Sequence, residues 1–217
     1  MLKATVRVAN SGPAPATFAL QFTLVDDKSG LQVASASAAA VTLAAGAVLA
    51  VRAPRLALGN PARWSVRRPA TYTLRTAVHV LGAAPAAAVD AVNTTVGFRE
   101  ARFDASAGFF LNGEHVVLRG FSDHNSFAGV GVAVPARVNL YRAQMLRAVG
   151  GNSWRMSHNP PDPAVLDLLD ALGVLVWDET RDFTLAQVRD MADLVKRPVQ
   201  PQFRVLVCAA PALNAAG

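Results

Sequence analysis

The sequence predicts a multidomain chain, β followed by α/β. An immunoglobulin-like β-sandwich occupies residues 1–98, the first part of an incomplete (β/α)8 TIM barrel residues 99–197, and a divergent tail residues 198–217. Three observations carry that expectation. The first hundred residues hold about seven short runs of period-2 alternation with a turn signal roughly every ten residues, the pattern of an antiparallel sandwich. After Gly97-Phe98-Arg99-Glu100 the alternation gives way to strand and helix patterns in turn. In that second region three apolar runs end in polar clusters, at Ser122-Asp123-His124, Ser157-His158 and Asp178-Glu179. Chemistry at the carboxyl ends of successive parallel strands is how a (β/α) barrel assembles a site, because those ends converge on one mouth.

The sandwich strands follow from their side-chain period. Leu2, Ala4, Val6 and Val8 alternate with Lys3, Thr5 and Arg7, and Asn10-Ser11-Gly12-Pro13 turns the chain. Phe18, Leu20, Phe22 and Leu24 repeat the period before Asp26-Asp27-Lys28-Ser29-Gly30. Further strands are expected at Leu31–Ser35, Ala39–Leu43, Val48–Arg52, Tyr72–Val80 and Val89–Val96. Burial of Phe18, Phe22, Leu74 and Trp64, each contributing about 1.5–3 kcal/mol, is expected to hold the sandwich without a disulfide.

In the barrel region, Phe109-Phe110-Leu111 and His115–Leu118 flank Asn112-Gly113, two residues that accept the positive φ angles of a tight hairpin turn. A strand over 116–121 then leads into Ser122-Asp123-His124. Val138, Tyr141, Met145, Leu146 and Val149 share one helical face, closed by Gly150-Gly151. A second helix has Asp162 as N-cap, Pro163 in its first turn, Val165, Leu168, Leu169 and Leu172 on its buried face, and Gly173 as its stop. A third is expected from Thr184, where Gln187 completes a capping box, to Val195. Phe203–Val207 could form a fourth strand.

Composition narrows the function classes. At 217 residues, 52% apolar and 17% charged, the chain has the make-up of a soluble globular protein. The net charge of +6 belongs to residues 1–100, which hold ten Lys+Arg against four Asp+Glu. Only Arg63, Arg67 and Arg68 cluster, without interleaved stacking aromatics, so the expected reading is a solvated basic face and no nucleic-acid partner. Cys208 stands alone, which excludes an internal disulfide and a thiolate zinc cluster. Val33–Val51 is uncharged but built mostly of Ala and Ser, favouring small-residue strands over a membrane helix. The amino terminus lacks the apolar core of a signal peptide, so no membrane association and a cytoplasmic location by default are expected.

The words Leu111-Asn112-Gly113, Leu118-Arg119-Gly120, His124, the run Gly151 to Pro161 containing Arg155-Met156-Ser157-His158-Asn159-Pro160-Pro161, Asp170-Ala171-Leu172-Gly173 and Trp177-Asp178-Glu179 together resemble glycoside hydrolase family 2. Upstream, Trp64-Ser65, Tyr72-Thr73-Leu74 and Val96-Gly97-Phe98-Arg99 resemble the immunoglobulin-like domain that precedes the barrel in that family. The similarity spans about residues 2–197 and looks most like the β-galactosidase-like branch.

The resemblance implies a retaining O-glycosidase in which one Glu protonates the leaving oxygen and a second attacks the anomeric carbon. Both lie on later barrel strands in the family, the first in an Asn-Glu pair. This sequence has no such pair, and its three glutamates, Glu100, Glu114 and Glu179, match neither position. A complete barrel takes about 250 residues. The expectation is therefore a truncated member, inactive alone, with no catalytic residue of its own. His124 and His158 would hydrogen-bond sugar hydroxyls, or simply cap strand ends; Arg155 would orient Asp178 or Glu179. Because neighbours on a strand point to opposite faces, one of Asp178 and Glu179 acts through the other.

Ser122-Asp123 stand near a place where the family commonly has Asn, which brings a negative charge close to His124. Where galactosidase members place a magnesium carboxylate this chain has Phe183, beside Asp182, so neither metal nor other cofactor is expected. Trp154 and Trp177 could stack on sugar or belong to the core. The expected partner is a β-galactoside-like carbohydrate, the oligomeric state being open. The rival readings are a non-enzymatic immunoglobulin-like interaction module and a non-functional product whose open barrel leaves strand edges unpaired.

Overall fold

The computed structural model describes residues 2–82, 88–158 and 160–178, together with the backbone of Val205–Leu206. These form two compact units, one from residues 2–62 and 70–98, the other from residues 63–69 and 99–178. The expected helix from Thr184 and the candidate Glu179 lie outside the described residues.

The first unit is a sandwich of two antiparallel sheets. β1 (Thr5–Ala9) pairs with β5 (Val48–Arg52). Opposite lies a sheet of order β3-β2-β6-β7, with β2 at Ala16–Asp26, β3 at Gln32–Ser37, β6 at Tyr72–Val80 and β7 at Asp90–Val96; β4 (Val41–Leu43) also pairs with β2. Alternation along β2 buries Phe18, Leu20, Phe22 and Leu24 against Val8, Leu43, Val51, Leu56, Tyr72, Leu74 and Val96. The uncharged stretch 33–51 is strands and a turn, with Gly46 at φ 72°. Among the described residues no helix is long and apolar enough to cross a membrane.

Asn10 secures the turn after β1. It is 4% exposed, and its Nδ2 donates to the carbonyls of Ala14, Leu43 and Ala44 at 2.9, 3.0 and 3.2 Å while Oδ1 accepts from Gly12 N at 3.0 Å. A buried amide is tolerated because its donors and its acceptor are both used.

The second unit opens with a small antiparallel sheet of β8 (Ala101–Asp104), β9 (Gly108–Leu111) and β10 (Glu114–His115). Its turn has Asn112 and Gly113 at φ 54° and 88°, as the residue types require. There follow β11 (Gly120–His124), α1 (Ala136–Ala148), β12 (Ser153–Ser157), α2 (Pro163–Leu172) and β13 (Leu175–Asp178). β11, β12 and β13 are parallel neighbours in that order, and β14 (Val205–Leu206) adds in parallel to β13, as a fourth strand near Phe203–Val207 would. Parallel strand-helix-strand units of this kind are the opening of a (β/α) barrel.

Three expectations are corrected. The first barrel strand starts at Gly120 rather than Val116, so Ser122, Asp123 and His124 lie within it. Asn152 is the reason: its Nδ2 donates to Val117 O at 2.9 Å and its Oδ1 accepts from Arg119 N at 2.7 Å, replacing a ladder before Gly120. A Cβ at Gly120 would collide with the Ser153 carbonyl, so close approach of β11 to β12 requires glycine there.

The buried face of α1 is narrower than expected: Leu146 is buried as the pattern predicts, with Ala143 beside it, while Tyr141, Met145 and Val149 are exposed. Trp64 does not serve the sandwich core. It is fully buried with Phe109, Leu111 and Leu175 in the second unit, where its Nε1 donates to Asp170 O at 2.8 Å. A large indole needs both an apolar bed and an acceptor for its N–H, and the barrel unit supplies both.

Candidate functional site at the carboxyl ends of the barrel strands

Pairing register decides which side chains share a face. Ser122 pairs with Arg155 and His124 with Ser157, while Arg155 pairs with Trp177. Ser122, His124, Arg155, Ser157 and Trp177 therefore stand on one side of the sheet, and Asp123, Trp154, Met156, Val176 and Asp178 on the other. The second side faces the helices: Trp154, Met156 and Val176 pack with Ala143, Leu146, Leu166 and Leu169.

His124 and His158 meet at the rim. Their ring centroids are 5.8 Å apart with planes inclined at 69°, and both residues are exposed. The peptide bond between Ser157 and His158 is cis. Asn125 Nδ2 donates to Pro160 O at 3.3 Å, tying the chain after β11 to the chain after β12. Arg155 lies on the same face as His124, half-buried, with Nη1 donating to Ser122 Oγ at 3.0 Å. Asp178 is 4% exposed and sits on the helix-facing side by alternation. Thus His124, His158 and Arg155 are brought to one side of the sheet, Asp178 to the other. Trp154, a stacking candidate, is buried in the helix-facing core. Trp177 is half-buried on the side of Arg155 and lines a small space with Phe109, Leu118 and Leu175.

One residue of this region was missed by sequence reasoning. Arg142 on α1 forms an ion pair with Asp123 and donates from Nη2 to His124 O at 3.0 Å and from Nη1 to Asn139 Oδ1 at 3.2 Å. Its guanidinium also lies 5.4 Å from the Trp154 ring centroid and 5.8 Å from that of Phe127. Desolvation holds its pKa below the usual arginine value. The negative charge at Asp123 is thereby balanced on the helix-facing side, while the backbone of His124 is held in place. A charge-assisted fork of this kind fixes geometry as well as charge. The signal was available only as an Arg in the interior of a helix pattern, which ordinarily marks a solvated position.

A buried pair supports the floor of the unit. Asp170 on α2 is 3% exposed, and burial pushes its carboxyl up to about 7 against the pull of Arg99. Burial likewise lowers Arg99 to about 10, with Asp170 opposing the shift. The Arg99 guanidinium lies 5.1 Å from the Trp64 ring centroid. Among the described residues, no group of three His, Cys, Asp or Glu side chains could hold a metal ion.

The arrangement can present two imidazoles and a tethered guanidinium to a polyhydroxylated ligand. Comparison with known proteins identifies the setting. The family model for glycosyl hydrolases family 2, TIM barrel domain, matches residues 105–206, and a second model, glycosyl hydrolases family 2, matches residues 1–99.

A putative β-glucuronidase of Formosa agariphila is 38% identical over 120 residues, covering 55% of this chain and 14% of that protein. A β-galactosidase of Bacteroides ovatus is 37% identical over 128 residues, covering 59% of this chain and 15% of that protein. Among solved structures, β-glucuronidase 2 of Bacteroides uniformis, bound covalently to cyclophellitol-6-carboxylate aziridine, superposes with a TM-score of 0.76 at 29% identity, over 82% of this chain and 21% of that one. The chain thus spans about one seventh of the first two relatives' length and about one fifth of that structure. The chain, with its immunoglobulin-like domain and partial TIM barrel, belongs to glycoside hydrolase family 2.

Proposed function

We propose that the carboxyl ends of β11 and β12 bind the terminal sugar of a β-galactoside, through His124 and His158, as part of a retaining O-glycosidase. The observation that carries this reading is the pair of exposed imidazoles 5.8 Å apart at adjacent strand ends. Each ring has a nitrogen able to donate and one able to accept, which suits recognition of vicinal hydroxyls. Arg155, held by Ser122, stands on the same face and adds a guanidinium donor to the sugar-binding rim. Asp178 is a positioning residue, since its burial on the helix-facing side keeps it from sugar.

Displacement at an anomeric carbon needs two carboxyl groups about 5–5.5 Å apart. The glutamates of this sequence are Glu100, Glu114 and Glu179, and none has the Asn-Glu context that the family acid/base requires. We therefore assign binding and orientation, and not the bond-breaking step, to these strand-end residues.

The test is titration of the 217-residue chain with a non-hydrolysable β-thiogalactoside while the histidine ring signals are followed by NMR. Selective shifts of His124 and His158, lost in the His124→Ala variant, are expected, together with no release from a chromogenic β-galactoside. Turnover that disappears in Glu179→Gln would overturn the division of labour. A second reading, a β-glucuronide, is favoured by the slightly higher identity to the putative β-glucuronidase. A thioglucuronide that shifts the same signals at lower concentration would select it.

A further inference from the structure

At the opposite, amino-terminal ends of the barrel strands lies a groove of about 490 Å³ lined by Arg63, Arg67, Arg68 and Arg119, with Glu114 and His115 along one wall. Arg119 immediately precedes β11, so the groove is remote in the fold from His124 and His158 at the other strand ends. The turn that carries three of the arginines is rigidly built. Ser65 N donates to Arg68 O at 2.9 Å and Arg68 N to Ser65 O at 3.1 Å. Asn112 Nδ2 donates to Trp64 O at 3.0 Å and Arg147 Nη2 to Val66 O at 3.2 Å, while the buried Trp64 anchors the turn's start.

All four groove arginines are exposed, and among the described residues no carboxylate forms an ion pair with any of them. The amino-terminal face of a barrel ordinarily contributes stability. Four like charges around one groove work against stability, and their planar forks match carboxylates.

We propose that this groove binds an anionic oligosaccharide, a chain of uronate sugars whose carboxylates pair with Arg63, Arg67, Arg68 and Arg119. The lining contains no Phe, Trp or Tyr. A protein partner would be expected to use aromatic or apolar anchors, and single-stranded nucleic acid would be expected to stack on aromatic rings. A hydrophilic chain with regularly spaced carboxylates asks only for guanidinium groups and polar walls. The inference rests on the protein being carbohydrate-directed, and is independent of which terminal sugar the other end of the barrel takes.

Calorimetry on the full chain with tetragalacturonate, maltotetraose and tetraglutamate tests it. Tetragalacturonate is expected to bind, weakening with added salt, and maltotetraose not to. The double substitution Arg67→Gln and Arg68→Gln, on an exposed turn, is expected to weaken binding by about tenfold or more with a melting temperature no lower than the parent's. The His124→Ala variant is expected to bind tetragalacturonate as the parent does, which separates failure of this site from failure of the galactoside site. Absence of tetragalacturonate binding, equal binding by the double variant, or equally tight binding of tetraglutamate would overturn the proposal.

Discussion

In the sandwich unit, Phe18, Leu20, Phe22 and Leu24 alternate along one strand into a core that neighbouring strands of the same unit enclose. In the barrel unit, α1 buries only Ala143 and Leu146 and turns Tyr141, Met145 and Val149 outward, beside an exposed Phe121 on β11. Among the described residues, β11 pairs with β12 alone. Sequence distance is not the difference, since the sandwich pairs Thr5 with Arg52 and Phe18 with Val80, farther apart than Gly120 and Ser153 of the parallel pair. The difference lies in what covers each sheet: the antiparallel sheets of the sandwich cover one another's inner faces, whereas a parallel sheet needs both of its faces covered by elements from outside it. Trp64, from outside the parallel sheet, packs with Leu175 of β13 in this way.

That contrast can be broken or sharpened by substitution. Trp64→Ala has the largest expected effect, about 3–5 kcal/mol as for other buried aromatic truncations. Because Trp64 packs with Phe109, Leu111 and Leu175, hydrogen exchange should accelerate in β12 and β13 while β2 and β6 keep their protection. Equal loss in both units would show that the two are one cooperative body. Asn10→Ala is the counterpart in the sandwich. It strands the carbonyls of Ala14, Leu43 and Ala44 and should cost about 2–3 kcal/mol, with faster exchange confined to β1, β4 and β5.

Asp170 should make the barrel unit sensitive to pH. Its folded-state value of about 7 lies above the ordinary 3.8, so between about pH 4 and 7 the folded chain keeps a proton that the unfolded chain releases. This contribution is fully present below pH 4 and is lost as pH rises through 7. The melting temperature assigned to the barrel unit should therefore decline over that window, and Asp170→Asn should flatten the decline; an unchanged slope would remove Asp170 as its source. The smallest effect on stability, within about 0.5 kcal/mol, is expected for Val149→Ser, because Val149 is 72% exposed. A larger loss in the melting temperature would show that Val149 is packed rather than solvated.

Local pattern was enough for the sandwich strands, for α2 with Asp162 at its N-cap and Gly173 at its left-handed stop, and for the Asn112-Gly113 turn. Each depends on side-chain period or on one residue's allowed dihedrals. It was not enough for the start of β11, which Asn152 sets from 35 positions away by bonding Val117 O, nor for α1, where Leu146 is buried but Tyr141, Met145 and Val149 of the same apolar stripe are exposed. For the candidate site, strand-end polarity marked His124, His158, Arg155 and Asp178. Pairing register then separated Asp178 from the others. Arg142 was invisible as a site residue, since its partners Asp123, His124 and Trp154 lie on two other elements.

By itself, then, the order of residues determined which segments become strands and helices and which polar groups stand at the strand ends, because those follow from interactions within a few positions. Only tertiary structure decided that Trp64 serves the barrel unit, that Arg142 secures His124, and that four arginines surround one groove. Such assignments depend on packing between residues as much as 106 positions apart, which no local period encodes.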